Sequence, residues 1–150
     1  MRAHRAEEAQ ALVEFALVLP VLLMLILGLF DLARAVEQEN TLAYAAREGS
    51  RYAIVHGASA SPALGPCASC VDPTTASAAA DSAIGGVVTK AAISVPNVSV
   101  TVDYPDGHNY RGDRVSVDAS APFVPLPSTW LLNGALTITM RGGSELVIQY

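Results

Sequence analysis

From Gln10 to Phe30 the chain reads QALVEFALVLPVLLMLILGLF, apolar at every helical phase and interrupted by one carboxylate, Glu14. At ~1.5 Å of rise per residue the stretch from Ala11 to Phe30 covers roughly 30 Å, the thickness of a hydrocarbon core. The pattern predicts a membrane-crossing helix. A cleaved secretory signal has a shorter apolar core and a small-residue exit, whereas this run passes directly into Asp31-Leu32-Ala33-Arg34. Pro20 removes one backbone hydrogen bond and predicts a bend that membrane helices tolerate. Leu29, Leu32, Val36, Glu39, Ala43, Ala46, Ser50 and Ala53 continue at alternating spacings of three and four, so the helix is expected to run on past the membrane. That stripe, small on its outer half, suits packing on the chain's own domain or on a neighbouring helix.

HGASASPALGPCASCVDPTT, residues 56–75, is a loop by its Gly, Ser and Pro content. Asp72 then serves as N-cap and Pro73 as first residue of a short Ala-rich helix to about Ala92. After Ile93 the period becomes two, which predicts four short strands: Val98 to Tyr104, Val115 to Ala119, Leu136 to Met140, and Leu146 to Ile148. PDGHNYRGD and RGGSE read as turns, and the proline-spaced bridge PFVPLPSTWLLNG is unsuited to a central strand. The expected architecture is α+β. Residues 1–9 form a charged cytoplasmic leader, 10–30 the transmembrane helix, 31–56 its extracytoplasmic continuation, and 57–150 a small domain with a short helix and an antiparallel sheet.

Composition sharpens this reading. Hydrophobic residues are 51% of the 150 and charged ones 15%, an excess concentrated in the membrane run. Net charge is -5, and beyond Phe30 the basic residues (Arg34, Arg47, Arg51, Lys90, Arg111, Arg114, Arg141) are scattered, so nothing suits a nucleic-acid backbone. Arg2 and Arg5 before the span against Arg34 after it favour a cytoplasmic N-terminus. Glu14 lies about 4–5 Å inside the boundary, near enough to reach the headgroups by bending its stem. Gln10 stands four residues earlier, on the same helical face.

The segment QALVEFALVLPVLLMLILGLFDLARAVEQENTLAYAAREGSRYA, Gln10 to Ala53, resembles the TadE-like family, pseudopilins of the tight-adherence (Flp) pilus systems. The VEFAL…LP block, Asp31 and Arg34 beyond the span, and the AAREGSRYA block at Ala45 to Ala53 occur in the family's order and separations. The resemblance implies a pilin-like fold and a precursor cut by a prepilin-type peptidase between Ala9 and Gln10. Ala9 stands where the family usually has glycine. Glu14 then becomes the fifth mature residue and Phe15 the sixth. The resemblance also implies that the acid pairs with the terminal ammonium of an adjacent subunit, and that the partners are the membrane, other pilin or pseudopilin subunits and an inner-membrane platform. Arg47, Glu48 and Arg51 fall within the family block and are expected to form an ionic network where the helix meets the sheet or a neighbour.

Cys67 and Cys70, in CASC, admit a redox pair, half a metal site or a disulfide. Two ligands do not close a tetrahedral zinc site, and an extracytoplasmic loop favours a local disulfide. RGD at 111–113 reads as a turn, and Asp106, His108 and Asp113 either converge in a noncanonical site or, as the ordinary reading, are charged turn tips. No hydrolase, metalloprotease or phosphate-loop motif appears, so neither an enzyme nor a cofactor is expected. The competing reading is a membrane-tethered binding module that never enters a filament and uses the bridge around Trp130 or the CASC loop. A third is a secreted domain released by ordinary signal cleavage.

Overall fold

The computed structural model describes residues 2–66, 73–131 and 133–149, with the side chains of 2–9, 73–81 and 130–131 outside that description. The elements run α1 (Arg2–Ile54), α2 (Pro73–Ala91), β1 (Ser99–Asp103), β2 (Arg114–Phe123), α3 (Leu126–Leu131) and β3 (Ile138–Val147). The expected α+β class is observed: a 53-residue helix, then a small domain with an antiparallel sheet. Helix α1 passes through Pro20 without a break in its assignment. Helix α2 begins at Pro73 as read from the sequence, and its expected cap, Asp72, lies outside the described residues. The chain divides into two compact units, Met1–Arg34 with Val124–Thr137, and Ala35–Phe123 with Ile138–Tyr150.

In the second unit the sheet order is β1-β2-β3, an antiparallel meander in which Val102 faces Val117 and Val117 faces Ser144. Period-two alternation in β2 sends Val115, Val117, Ala119, Ala121 and Phe123 inward and leaves Arg114, Asp118 and Pro122 exposed. Against the inner face pack Leu42, Ala45, Ala46, Ser50 and Ala53 of α1 and Ile84 and Val88 of α2. Burying each of the larger side chains contributes roughly 1.5–3 kcal/mol.

Two expectations need correction. Four strands were expected and three are present among the described residues, because RGGSE is not a turn: Arg141 to Glu145 lie inside β3, paired with Ser120 to Ser116 of β2. Gly142 is a point of close approach. A Cβ there would overlap the backbone of Leu42 and Ala43, so only a residue without a side chain lets the strand lie this near the helix. The predicted helical stripe is buried only in its outer half, at Ala46, Ser50 and Ala53. Leu29, Leu32, Val36 and Glu39 are exposed, and the buried face is Leu42, Ala45, Ala46, Gly49, Ser50 and Ala53. At Gly49 a Cβ would overlap Val88 Cγ2 and press on Val117, so α1, α2 and β2 meet there. Ser50 closes the helix–sheet contact with a 2.8 Å hydrogen bond from its hydroxyl to Ser144 Oγ.

The loop between β1 and β2 is held by ions. Arg114 donates from Nη2 to Asp106 Oδ1 at 2.9 Å and from Nε to Oδ2 at 3.2 Å, and its backbone N–H also reaches Oδ2 at 2.9 Å. Arg114 reaches Glu145 of β3 at 3.4 Å. The side-chain and backbone hydrogen bonds from Arg114 hold the Asp106 carboxyl below its ordinary range. RGD is a turn, as read: Gly112 takes φ of 97° and donates its N–H to Ile148 O at 3.0 Å.

Replacing Gly142 with alanine should lower the melting temperature of the detergent-extracted protein, at a cost of about 1–3 kcal/mol for overpacking, because backbone rather than a mobile side chain blocks the new methyl. Gly86→Ala, in open space within α2, should instead raise it, by up to about 1 kcal/mol. Asp106→Asn should destabilise the loop near neutral pH. Since the folded carboxyl titrates below its unfolded value of about 3.9, the wild-type advantage is full above that pH and should vanish as pH falls through the folded value. Paired melts across that range read both effects.

Candidate functional site

The first unit presents an apolar cylinder. From Leu12 to Phe30 the large hydrophobic side chains singled out by exposure range from 40% accessible at Leu27 to 71% at Leu17. Helix α1 is long and apolar enough to cross a membrane: between Gln10 and Ile54 its most apolar 18-residue window has a mean hydropathy of 2.7, and none of that window is buried. Surface of this kind and extent is covered by lipid or by other apolar helices. Glu14 lies exposed on this cylinder beside Phe15, which is 61% accessible. Residues 9–14 are helical, so Gln10 and Glu14 occupy one face at i and i+4. The side chain of Ala9 lies outside the described residues.

Asp31 follows the last apolar residue, and it is buried, with 7% of its surface accessible. Its Oδ1 accepts from Arg34 Nη1 at 3.1 Å, one turn along the helix. Its Oδ2 accepts the backbone N–H of Leu126 at 2.8 Å, so the carboxylate caps the first turn of α3. A buried carboxylate needs such partners, and breaking them would leave an uncompensated charge. Sequence reasoning paired Asp31 with Arg34 as family charges but could not find Leu126, 95 positions away.

Around α3 the chain closes on itself. Ser128 is buried; its hydroxyl donates to Leu136 O at 3.3 Å and accepts from Leu136 N at 3.1 Å, while Gly134 N donates to Ser128 O at 2.9 Å. Thr129 Oγ1 returns to Leu126 O at 2.7 Å. Asn133 and Gly134 take φ of 50° and 76°, the left-handed backbone that turns the segment back.

In the second unit, the charges expected to form a network are arranged more simply. Arg51 meets Glu48 at 3.5 Å, an exposed i,i+3 pair of the kind worth about 0–1 kcal/mol, and Arg47 is exposed. The same helical block supplies the buried small residues Ala45, Ala46, Gly49 and Ser50, so its regularity is one of packing as much as of charge. Cys67 and Cys70 lie outside the described residues. Asp106 is held by Arg114, and Asp113 accepts the Tyr110 N–H at 3.1 Å, so both serve the turn rather than a shared centre. Among the described residues no group of three or more His, Cys, Asp or Glu converges as a metal site would require. On the outer face of the sheet, Thr101, Asp118, Ala119, Ser120 and Arg141 line a shallow basin of about 320 Å³.

A family model described as TadE-like protein matches residues 9–51. No curated protein matches the chain significantly, and no solved structure does. The matched range contains Gln10, Glu14, Asp31, Arg34 and the small-residue face of α1 up to Ser50, and it ends before α2 and the sheet. Over residues 9–51, the N-terminal part of this protein is similar to the TadE-like family.

Proposed function

We propose that the chain is a pseudopilin-like minor subunit or assembly factor of a tight-adherence pilus. Residues 10–30 anchor it in the cytoplasmic membrane, with the N-terminus cytoplasmic and the α+β domain outside. Its role is mechanical, with no reaction catalysed and no cofactor used. The observation that carries this reading is an apolar helix that finds no cover within its own unit and bears a carboxylate near one end, inside the TadE-like match. Partners are a prepilin-type peptidase, other pilin or pseudopilin subunits and the inner-membrane platform.

The physical sequence is as follows. In the bilayer, Glu14 sits close enough to the headgroups to stay hydrated, and its cost is below the ~2.5–3.5 kcal/mol of an acid at mid-membrane. When helices leave lipid and bundle, that route to water closes, and a carboxylate in an apolar bundle must be neutralised or matched by a cation. Cleavage after Ala9 supplies the cation as the ammonium of Gln10. On one helix Gln10 and Glu14 share a face, so a small axial offset between protomers places the ammonium of one beside the acid of the next.

The basin at Thr101, Asp118, Ser120 and Arg141 favours the competing reading, a tethered binding module, because it offers both a carboxylate and a guanidinium on an open sheet face.

Glu14→Ala separates the two. The variant should insert into membranes as the wild type does, and should lose co-purification with pilus subunits together with surface piliation. Normal pilus biogenesis in the variant would sink the pairing mechanism and leave the binding module as the better account.

A further inference from the structure

The geometry points to a second membrane contact: the segment from Val124 to Thr137, pinned by Asp31 where the apolar run ends, lies in the lipid interface beside the transmembrane helix. The inference rests on the reading that residues 10–30 span the bilayer, and on nothing about pili.

Depth is set by one hydrogen bond. Asp31 is the residue after Phe30, so its Cα is only ~1.5 Å along the axis from the last apolar position. Its carboxylate holds the Leu126 N–H at 2.8 Å, which places the start of α3 at that level. The headgroup layer on each side of the core is roughly 5–8 Å deep, and a six-residue helix is about 9 Å long, so α3 begins within the layer and is comparable to it in length. The same two stretches, Met1–Arg34 and Val124–Thr137, form one compact unit.

Chemistry agrees with that location. From Ala119 to Met140 the chain has no charged residue, and the pinned segment reads VPLPSTWLLNGALT. Leu136 is 50% exposed, and Leu29, Phe30 and Leu32, the apolar residues flanking Asp31 on α1, are exposed as well. Backbone entering an apolar layer must satisfy its own polar groups, and the described residues of this segment satisfy several of theirs internally. Pro125 and Pro127 carry no N–H. Ser128 N and Thr129 N both bond Pro125 O, Ser128 Oγ serves both polar groups of Leu136, and Gly134 N returns to Ser128 O. The sequence also places here the chain's single tryptophan, Trp130, the residue type enriched at membrane interfaces.

Because Trp130 is the only tryptophan, its emission reports on this segment alone. The full chain is reconstituted into phosphatidylcholine–phosphatidylglycerol vesicles whose acyl chains carry bromine at a shallow or a deep position, and flotation with the vesicles after alkaline washing confirms that the helix has inserted. The expected result is a blue-shifted Trp130 emission that shallow bromine quenches more than deep bromine, and that aqueous iodide quenches weakly. Asp31→Ala should still float and should lose the shallow-bromine quenching while iodide quenching rises. Flotation with emission open to iodide and indifferent to bromine would overturn the inference and leave the anchor standing. Emission shielded from both quenchers would overturn it too, by assigning the segment to protein contact. Failure to float would remove the anchor itself, and the inference with it.

Discussion

More than a third of α1 presents apolar side chains on every side, and among the described residues nothing buries them. Hydrophobic surface of that extent must be removed from water by something, and the two available media, lipid and a bundle of similar helices, treat an acid at the helix end very differently. In lipid the carboxylate keeps access to the headgroups. In a bundle it loses that access, and desolvating an unmatched ion costs several kcal/mol even after relaxation. Under the proposed function Glu14 is therefore a conditional residue: tolerable before assembly, and in need of a cation after it. On the same proposal, cleavage after Ala9 would set an ammonium four residues earlier on the same face and answer that need without any change in the helix.

The two ends of the exposed run are built on opposite terms. Glu14 is exposed, whereas Asp31 is buried and holds partners from within the chain, Arg34 and the Leu126 N–H. Beyond Asp31 the helix changes character. From Leu42 to Ala53 its inner face consists largely of alanine, glycine and serine, and the strand it crosses presents Gly142, so backbones approach closely where the sheet meets the helix.

The long helix, the short Ala-rich helix and the alternating strands were legible because each has a period that sequence displays directly. Three features were not. The stripe begun at Leu29 keeps its phase at Ala46, Ser50 and Ala53, but a segment apolar all round does not reveal where a later domain begins to cover it; only from Leu42 onward does burial select a face. Gly142-Gly143 imitates a turn, since adjacent glycines are the commonest local sign of one, and only the nearness of the Leu42 and Ala43 backbone shows that the glycine makes room instead. The bond from Leu126 to Asp31 joins positions 95 apart and carries no local signature at all. Of the site residues, Glu14 and Gln10 were visible from helical spacing, while the meaning of the AAREGSRYA block, half charge and half close packing, required the fold.

The central claim is that a new terminal ammonium stands ready to match the acid of a neighbouring protomer. N-terminal sequencing of the protein extracted from assembling cells addresses it most directly. The account predicts a mature chain beginning at Gln10; a functional protein that still carries residues 1–9 would contradict it.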